Sequence, residues 1–296
     1  MQRHDQNASI PCSQPEPTRV SGSAPTRWRG ELALRVAPGA GRSVLAGVRH
    51  RGPLRVQRAF HPEASGTCHV YLLHPPGGLV GGDELEIDVD VQSGARALLT
   101  TPAAQKVYRA PERASAQRVR LAVRDAASLE WLPQETIAFD GAQGRLAIRV
   151  ELEGAASFLG WEVLCLGRPG AGERFQRGRI EQSFEVWRAG RPLWIERLRL
   201  GGGSAFLDAA WGAAGRTALG TFVCVGERPD LVEQIRAAVH ARDGEWFEIT
   251  QLRDVIVARF AGARAERARD CFISAWKVLR PAVLGAACEL PRIWST

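Results

Sequence analysis

The sequence predicts a mainly β fold of stacked, β-helix-like strand pairs, with a few helices in the C-terminal third. Three observations predict it. Leu85, Ile87, Val89 and Val91 alternate with Glu86, Asp88 and Asp90; side chains two apart share a strand face, so aliphatics line one side and acids the other. An alternating run, a tight turn and an apolar return recur four times, with turns at Ser93-Gly94, Asp125–Ala127, Glu153-Gly154 and Ala189-Gly190, roughly 30 residues apart. Helical periodicity enters only beyond residue 230. Strand pairs at such a period bury their apolar faces by stacking, as in a solenoid, rather than by closing a barrel.

Taken in order, residues 1–26 are rich in Gln, Ser, Pro and charge, too poor in large apolar groups to offset the entropy of ordering, and are expected to form a disordered tail. Residues 27–296 are expected to form a single β-rich domain. Glu31–Val36 alternates as a half-buried strand does. The four repeats follow: 85–100, then 120–132, then 146–166, then 181–200. Trp246–Thr250 and Asp254–Phe260 read as further strands. The first helix is expected over Leu231–His240, capped by Asp230, with Leu231, Ile235 and Val239 on one face. The second is expected over Glu266–Leu279, its apolar face formed by Cys271, Phe272, Ala275, Trp276 and Leu279, with Pro281 as its stop signal.

Composition narrows the function. The chain has 296 residues, 45% hydrophobic and 24% charged, as in an ordinary soluble globular protein. The net charge is +7. Lys106 and Lys277 are the lysines; the other basic residues are arginines spread along the chain without aromatic interleaving. That pattern argues against nucleic acid and for an acidic protein partner. The six cysteines form no CxxC pair, and Cys165 and Cys224 lie in apolar strand patterns, which fits buried free thiols. Neither a signal segment nor a long apolar run is visible, so a reducing cytoplasm without membrane insertion is expected.

Residues that carry chemistry are few. No nucleophile elbow or HExxH motif occurs. A β-solenoid carbohydrate-active enzyme would draw on acids and arginines gathered on one sheet face, and Glu84, Glu86, Asp88 and Asp90 are the candidates; a solvated strand face is the simpler account. Cys68, His69 and His74 are the candidate metal ligands, although strand alternation puts Cys68 and His69 on opposite faces. The loop His74-Pro75-Pro76-Gly77-Gly78-Leu-Val-Gly81-Gly82-Asp83 joins two strand patterns. Proline fixes φ and glycine admits positive φ, so the loop is rigid and follows an unusual path. Glu162 and Glu196 lie inside apolar phrases. A carboxylate there needs either a cationic partner, such as an arginine like Arg197 or Arg199 on a neighbouring strand, or a wet internal passage.

This loop, with Leu99–Ala104, Lys106–Arg109, Leu129-Glu-Trp-Leu-Pro-Gln-Glu135, Leu159–Pro169 and Pro291–Thr296, resembles the urease accessory protein D family, called H in some bacteria. The resemblance runs in order from about Trp28 to Thr296. It implies a non-catalytic, mainly β scaffold that binds the helical accessory protein F and, through it, the GTPase G. The assembly docks on apo-urease, and a homodimer of the D–F–G complex is implied. It also implies an internal tunnel for nickel(II) in transit, with no tightly bound cofactor. Carried over residue by residue, the tunnel acids fall on Asp83, Glu162 and Glu196. Glu162 stands where some relatives have Asp. A simple protein-interaction module is the remaining alternative.

Overall fold

The computed structural model describes residues 28–226 and 231–295. The expected tail, residues 1–26, and the expected helix cap, Asp230, lie outside the described residues. The strands are β1 (Arg29–Pro38), β2 (Ser43–Arg51), β3 (Arg55–Val56), β4 (Cys68–Leu73), β5 (Gly78–Leu79), β6 (Glu84–Val91), β7 (Arg96–Thr100), β8 (Gln105–Val107), β9 (Ser115–Val123), β10 (Ser128–Trp131), β11 (Thr136–Ala138), β12 (Gln143–Leu152), β13 (Ser157–Leu166), β14 (Arg179–Arg188), β15 (Arg191–Gly201), β16 (Ala218–Val225), β17 (Trp246–Leu252) and β18 (Val255–Gly262). The helices are α1 (Ala205–Asp208), α2 (Leu231–Ala238) and α3 (Ala265–Leu284). Among the described residues no helix is long and apolar enough to cross a membrane.

Two sheets face each other. The first runs β15-β14-β12-β9-β6-β1-β2, the second β17-β18-β16-β13-β10-β7-β4-β3. Their centres are parallel, through β1–β6–β9–β12–β14 and β4–β7–β10–β13. The expected stacked, β-helix-like architecture is therefore present. Each of the first three turns passes the chain from one sheet to the other, so strand and return are not hydrogen-bonded partners. The corners stack: Gly94 donates its N–H to the Asp125 carbonyl, and the Asp125 carboxylate accepts from Ala155 N–H at 2.8 Å. Gly94, Ala126 and Gly154 all hold positive φ there. The fourth repeat differs, because β14 and β15 form an antiparallel hairpin within the first sheet. That hairpin ends the parallel stack.

The alternation in β6 translates directly into burial. Leu85, Ile87, Val89 and Val91 face the space between the sheets with Val119, Leu121 and Val123 of the next coil, each contributing about 1.5–3 kcal/mol by leaving water. The acids face out and pair with arginines of the next coil: Asp88 with Arg120 of β9 at 3.1 Å, Asp90 with Arg124 just beyond it at 2.9 Å. The second sheet is covered on both faces, as continuous apolar strands require. Along β13, Phe158 and Leu164 join the core between the sheets, while Leu159, Trp161, Val163 and Cys165 join a second core under α2 and α3.

Helix α3 continues past the expected stop. Pro281 withholds the N–H that would bond the Lys277 carbonyl. The Cys288 thiol packs against this turn, 3.7 Å from the Trp276 carbonyl oxygen and 3.8 Å from that of Lys277. The helix then ends at Gly285, whose positive φ of 60° and N–H to the Pro281 carbonyl form a left-handed cap. Helix α2 ends at Ala238, two residues short of expectation.

Candidate functional site

Where the antiparallel strands close the two sheets, a cavity of about 460 Å³ opens between them. One wall comes from β14 and β15, including Phe184, Glu196 and Leu198; the other comes from β16–β18, including Thr221, Glu248 and Arg259. A smaller, inner crevice of about 90 Å³ also lies between the sheets, reaching the His74 loop and lined by His74, Thr101, Gln105, Trp131 and Gln134 among others. Glu162 of β13 lines both spaces.

Period-two alternation puts Glu162 on the inner face of β13 with Phe158 and Leu164. The Trp131 indole N–H donates to its Oε1 at 3.0 Å. Burial pushes the Glu162 carboxyl up to about 7, against the opposing pull of that hydrogen bond. Among the described residues Glu162 has no ion pair.

Glu196 is held differently. Thr221 Oγ1 donates to its Oε1 at 3.1 Å, and Arg259 Nη2 stands 3.4 Å from its Oε2. The Arg259 contact lacks hydrogen-bonding geometry, and Oε2 is buried with no donor. The ion pair thus bridges the two sheets. Neither neighbouring arginine supplies it; Arg197 pairs with Glu185 instead, at 3.0 Å.

Asp83, the third acid implied for the path, lines neither cavity. Its oxygens accept from the backbone N–H of Val80 at 2.9 Å and of Trp28 at 3.3 Å, which fixes the Gly81-Gly82 turn. Gly82 needs its φ of 91°, and a Cβ on Gly78 would stand 2.4 Å from the Tyr108 ring. The rigid Pro75-Pro76-Gly77 segment ahead of it sets His74 over the inner crevice. Burial lowers the His74 imidazole, while Gln105 and the charge of Asp83 work against that.

The other two candidate ligands do not join His74. Cys68 packs in the core between the sheets, whereas His69, fully buried on the opposite face of β4, lies 2.5 Å from Glu63 Oε1. Among the described residues no group of three or more His, Cys, Asp or Glu side chains is arranged to hold a metal ion.

Sequence reading missed a buried polar network between α3 and the second sheet. Arg280 of α3 bonds Glu63 and Glu130, and the Trp276 indole N–H donates to Glu130 at 2.6 Å. Two signals were available: Glu130 sits in the apolar phrase Leu129-Glu-Trp-Leu, and Arg280 lies four residues after Trp276 on the same helix face.

The match to known proteins covers this whole arrangement. The family model described as "UreD urease accessory protein" matches residues 29–295. The chain is 44% identical over 292 residues to the urease accessory protein UreD of Dechloromonas aromatica, an overlap of 97% of this chain and 99% of that one. To the UreD of Azoarcus sp. it is 45% identical over 280 residues, covering 94% and 98%. To that of Chromohalobacter salexigens it is 44% identical over 281 residues, covering 91% and 89%. These matches span nearly the whole length of the chain and of its relatives, and the chain belongs to the UreD urease accessory proteins.

Proposed function

We propose that this chain serves urease maturation as a non-catalytic, cytoplasmic scaffold that passes nickel(II) between its two sheets toward the urease active site. The observation that carries the reading is Glu162, a carboxylate shared by the outer cavity and the inner crevice. Carboxylate oxygens suit a hard or borderline divalent cation, and single ones hold it too weakly to trap it. Glu196 meets the cation in the outer cavity and Glu162 takes it inward. His74 lines the far side, with Asp83 acting through the loop it anchors and through its charge. The accessory F protein binds the scaffold directly, brings the GTPase G, and the assembly docks on apo-urease. The test is Glu162→Gln combined with Glu196→Gln, co-expressed with urease and its other accessory proteins at limiting nickel. Assembly is expected to persist while nickel per urease falls. Full nickel occupancy with the double variant overturns the reading.

A further inference from the structure

Glu162 borders both cavities, whereas Trp131 borders only the inner one. Strands β10 and β13 run parallel, with Trp131 opposite Gly160. The indole therefore reaches diagonally, past a residue with no side chain, to the carboxylate two positions on. Its N–H meets Glu162 Oε1 at 3.0 Å. Trp131 itself is fixed, 3% exposed within the core between the sheets. The contrast with other enclosed acids is chemical. Glu196 faces Arg259, and Glu63 and Glu130 face Arg280; Glu162 faces a neutral donor instead. Of the groups around it, Thr221 lies opposite on β16 and spends its hydroxyl proton on Glu196.

We infer that Trp131 is a positioning residue for cation transit: its indole N–H occupies one oxygen of Glu162, so a passing nickel ion meets a single oxygen and is handed on rather than held. The inference rests on the conduit reading above. A neutral donor can do this where an arginine cannot. An arginine would cancel the carboxylate charge and repel the cation, whereas the indole takes one lone pair and leaves the charge in place. A carboxylate with both oxygens free can bind a divalent cation in bidentate fashion, which tightens the site and lengthens residence. The motif Leu129–Glu135 thereby acquires a role for its tryptophan that its apolar setting did not announce.

The experiment measures nickel(II) retention by the full-length chain, with nickel alone as the probe, beside nickel delivery to urease. Trp131→Phe keeps an aromatic ring in the core and removes the N–H. It is expected to retain nickel about tenfold more tightly, the scale of a hydrogen bond to a charged group, and to deliver less. Adding Glu162→Gln to Trp131→Phe is expected to abolish the gain in retention, which a mere packing defect does not do. Glu162→Asp leaves the indole untouched and withdraws the carboxylate by one methylene. It is expected to show the same gain, and it carries the test if the phenylalanine variant does not fold. If both variants retain nickel as the parent does while Glu162→Gln still lowers delivery, the positioning role is overturned and the conduit stands. If Glu162→Gln also leaves delivery unchanged, the conduit fails and the positioning role falls with it.

Discussion

Arg280 Nη2 stands 2.7 Å from Oε2 of Glu63, a residue 217 positions earlier, and both side chains are sealed from water. The same guanidinium holds Glu130 at 2.9 Å. One arginine on α3 thus ties the last helix to the loop before β4 and to β10 at the centre of the second sheet. Buried charges cost several kcal/mol unless paired, so this contact is critical where a surface pair is not. Arg280→Met strands two carboxylates in the core and is expected to cost about 3–5 kcal/mol. Glu130→Gln keeps an acceptor for the Trp276 indole and is expected to cost less. Urea denaturation checks both, and a loss below about 1 kcal/mol for Arg280→Met shows that the network is dispensable.

Glu63 also sets a limit on acid stability. Burial works to raise its carboxyl, but hydrogen bonds from His69, Arg280 and Ser65 outweigh it and hold the group at about 2, below its ordinary 4.5. A depressed carboxyl stabilises the fold above 4.5, and that stabilisation is lost as pH falls through the window down to about 2. Melting temperature is expected to drop across that window in the parent chain. Glu63→Gln is expected to start lower and to change less with pH.

How much of this was legible in the sequence follows from which physical signal each part carries. The coils were legible because period-two alternation and turn residues are local, as in Leu85–Val91 followed by Gly94. Whether a turn makes a hairpin or a corner is not local. Gly94 and Ala189-Gly190 read alike, yet one crosses between sheets and the other closes β14 on β15, because only the neighbouring coil decides. Pro281 misled for a similar reason: the thiol that packs against the freed carbonyl comes from beyond the helix, at Cys288. Glu162 was legible as an acid in an apolar phrase. Its partner Trp131, 31 positions earlier in the chain, was not, because a tryptophan in a core phrase reads as packing alone.

Glu162 carries the opposite pH dependence to Glu63. Burial raises it to about 7 from an ordinary 4.5, so the native chain keeps a proton that the unfolded chain releases between those values. Stability from this group therefore falls as pH rises through that window and stays low above it. Glu162→Gln removes the dependence. Relative to the parent, the variant is expected to gain stability with rising pH, by up to about 3 kcal/mol at pH 8. Denaturant midpoints at several pH values read this directly, and parallel pH profiles for the two proteins contradict it.

The three acids are expected to separate when each is neutralised alone, because each is held by different partners. Glu162 has no cation nearby among the described residues and sits where the two cavities meet, so Glu162→Gln removes the one carboxylate common to both and lowers nickel per urease most. Glu196 is already partly compensated by Arg259 at 3.4 Å, so Glu196→Gln lowers it less. It also leaves Arg259 without its partner, and Glu196→Gln with Arg259→Gln is expected to recover stability without recovering delivery. Asp83 spends both oxygens on backbone N–H groups. Asp83→Asn keeps one acceptor and sets an amide N–H against the other donor, a clash worth about 1–3 kcal/mol. Its effect is expected to appear in stability and in the exposure of the Pro75–Gly82 loop to protease, with nickel per urease changed least of the three. Thermal melts, limited proteolysis and metal analysis of the urease produced rank the variants. A stable Asp83→Asn chain that delivers no nickel reverses the ranking and moves the path from the interior of the sandwich to the loop.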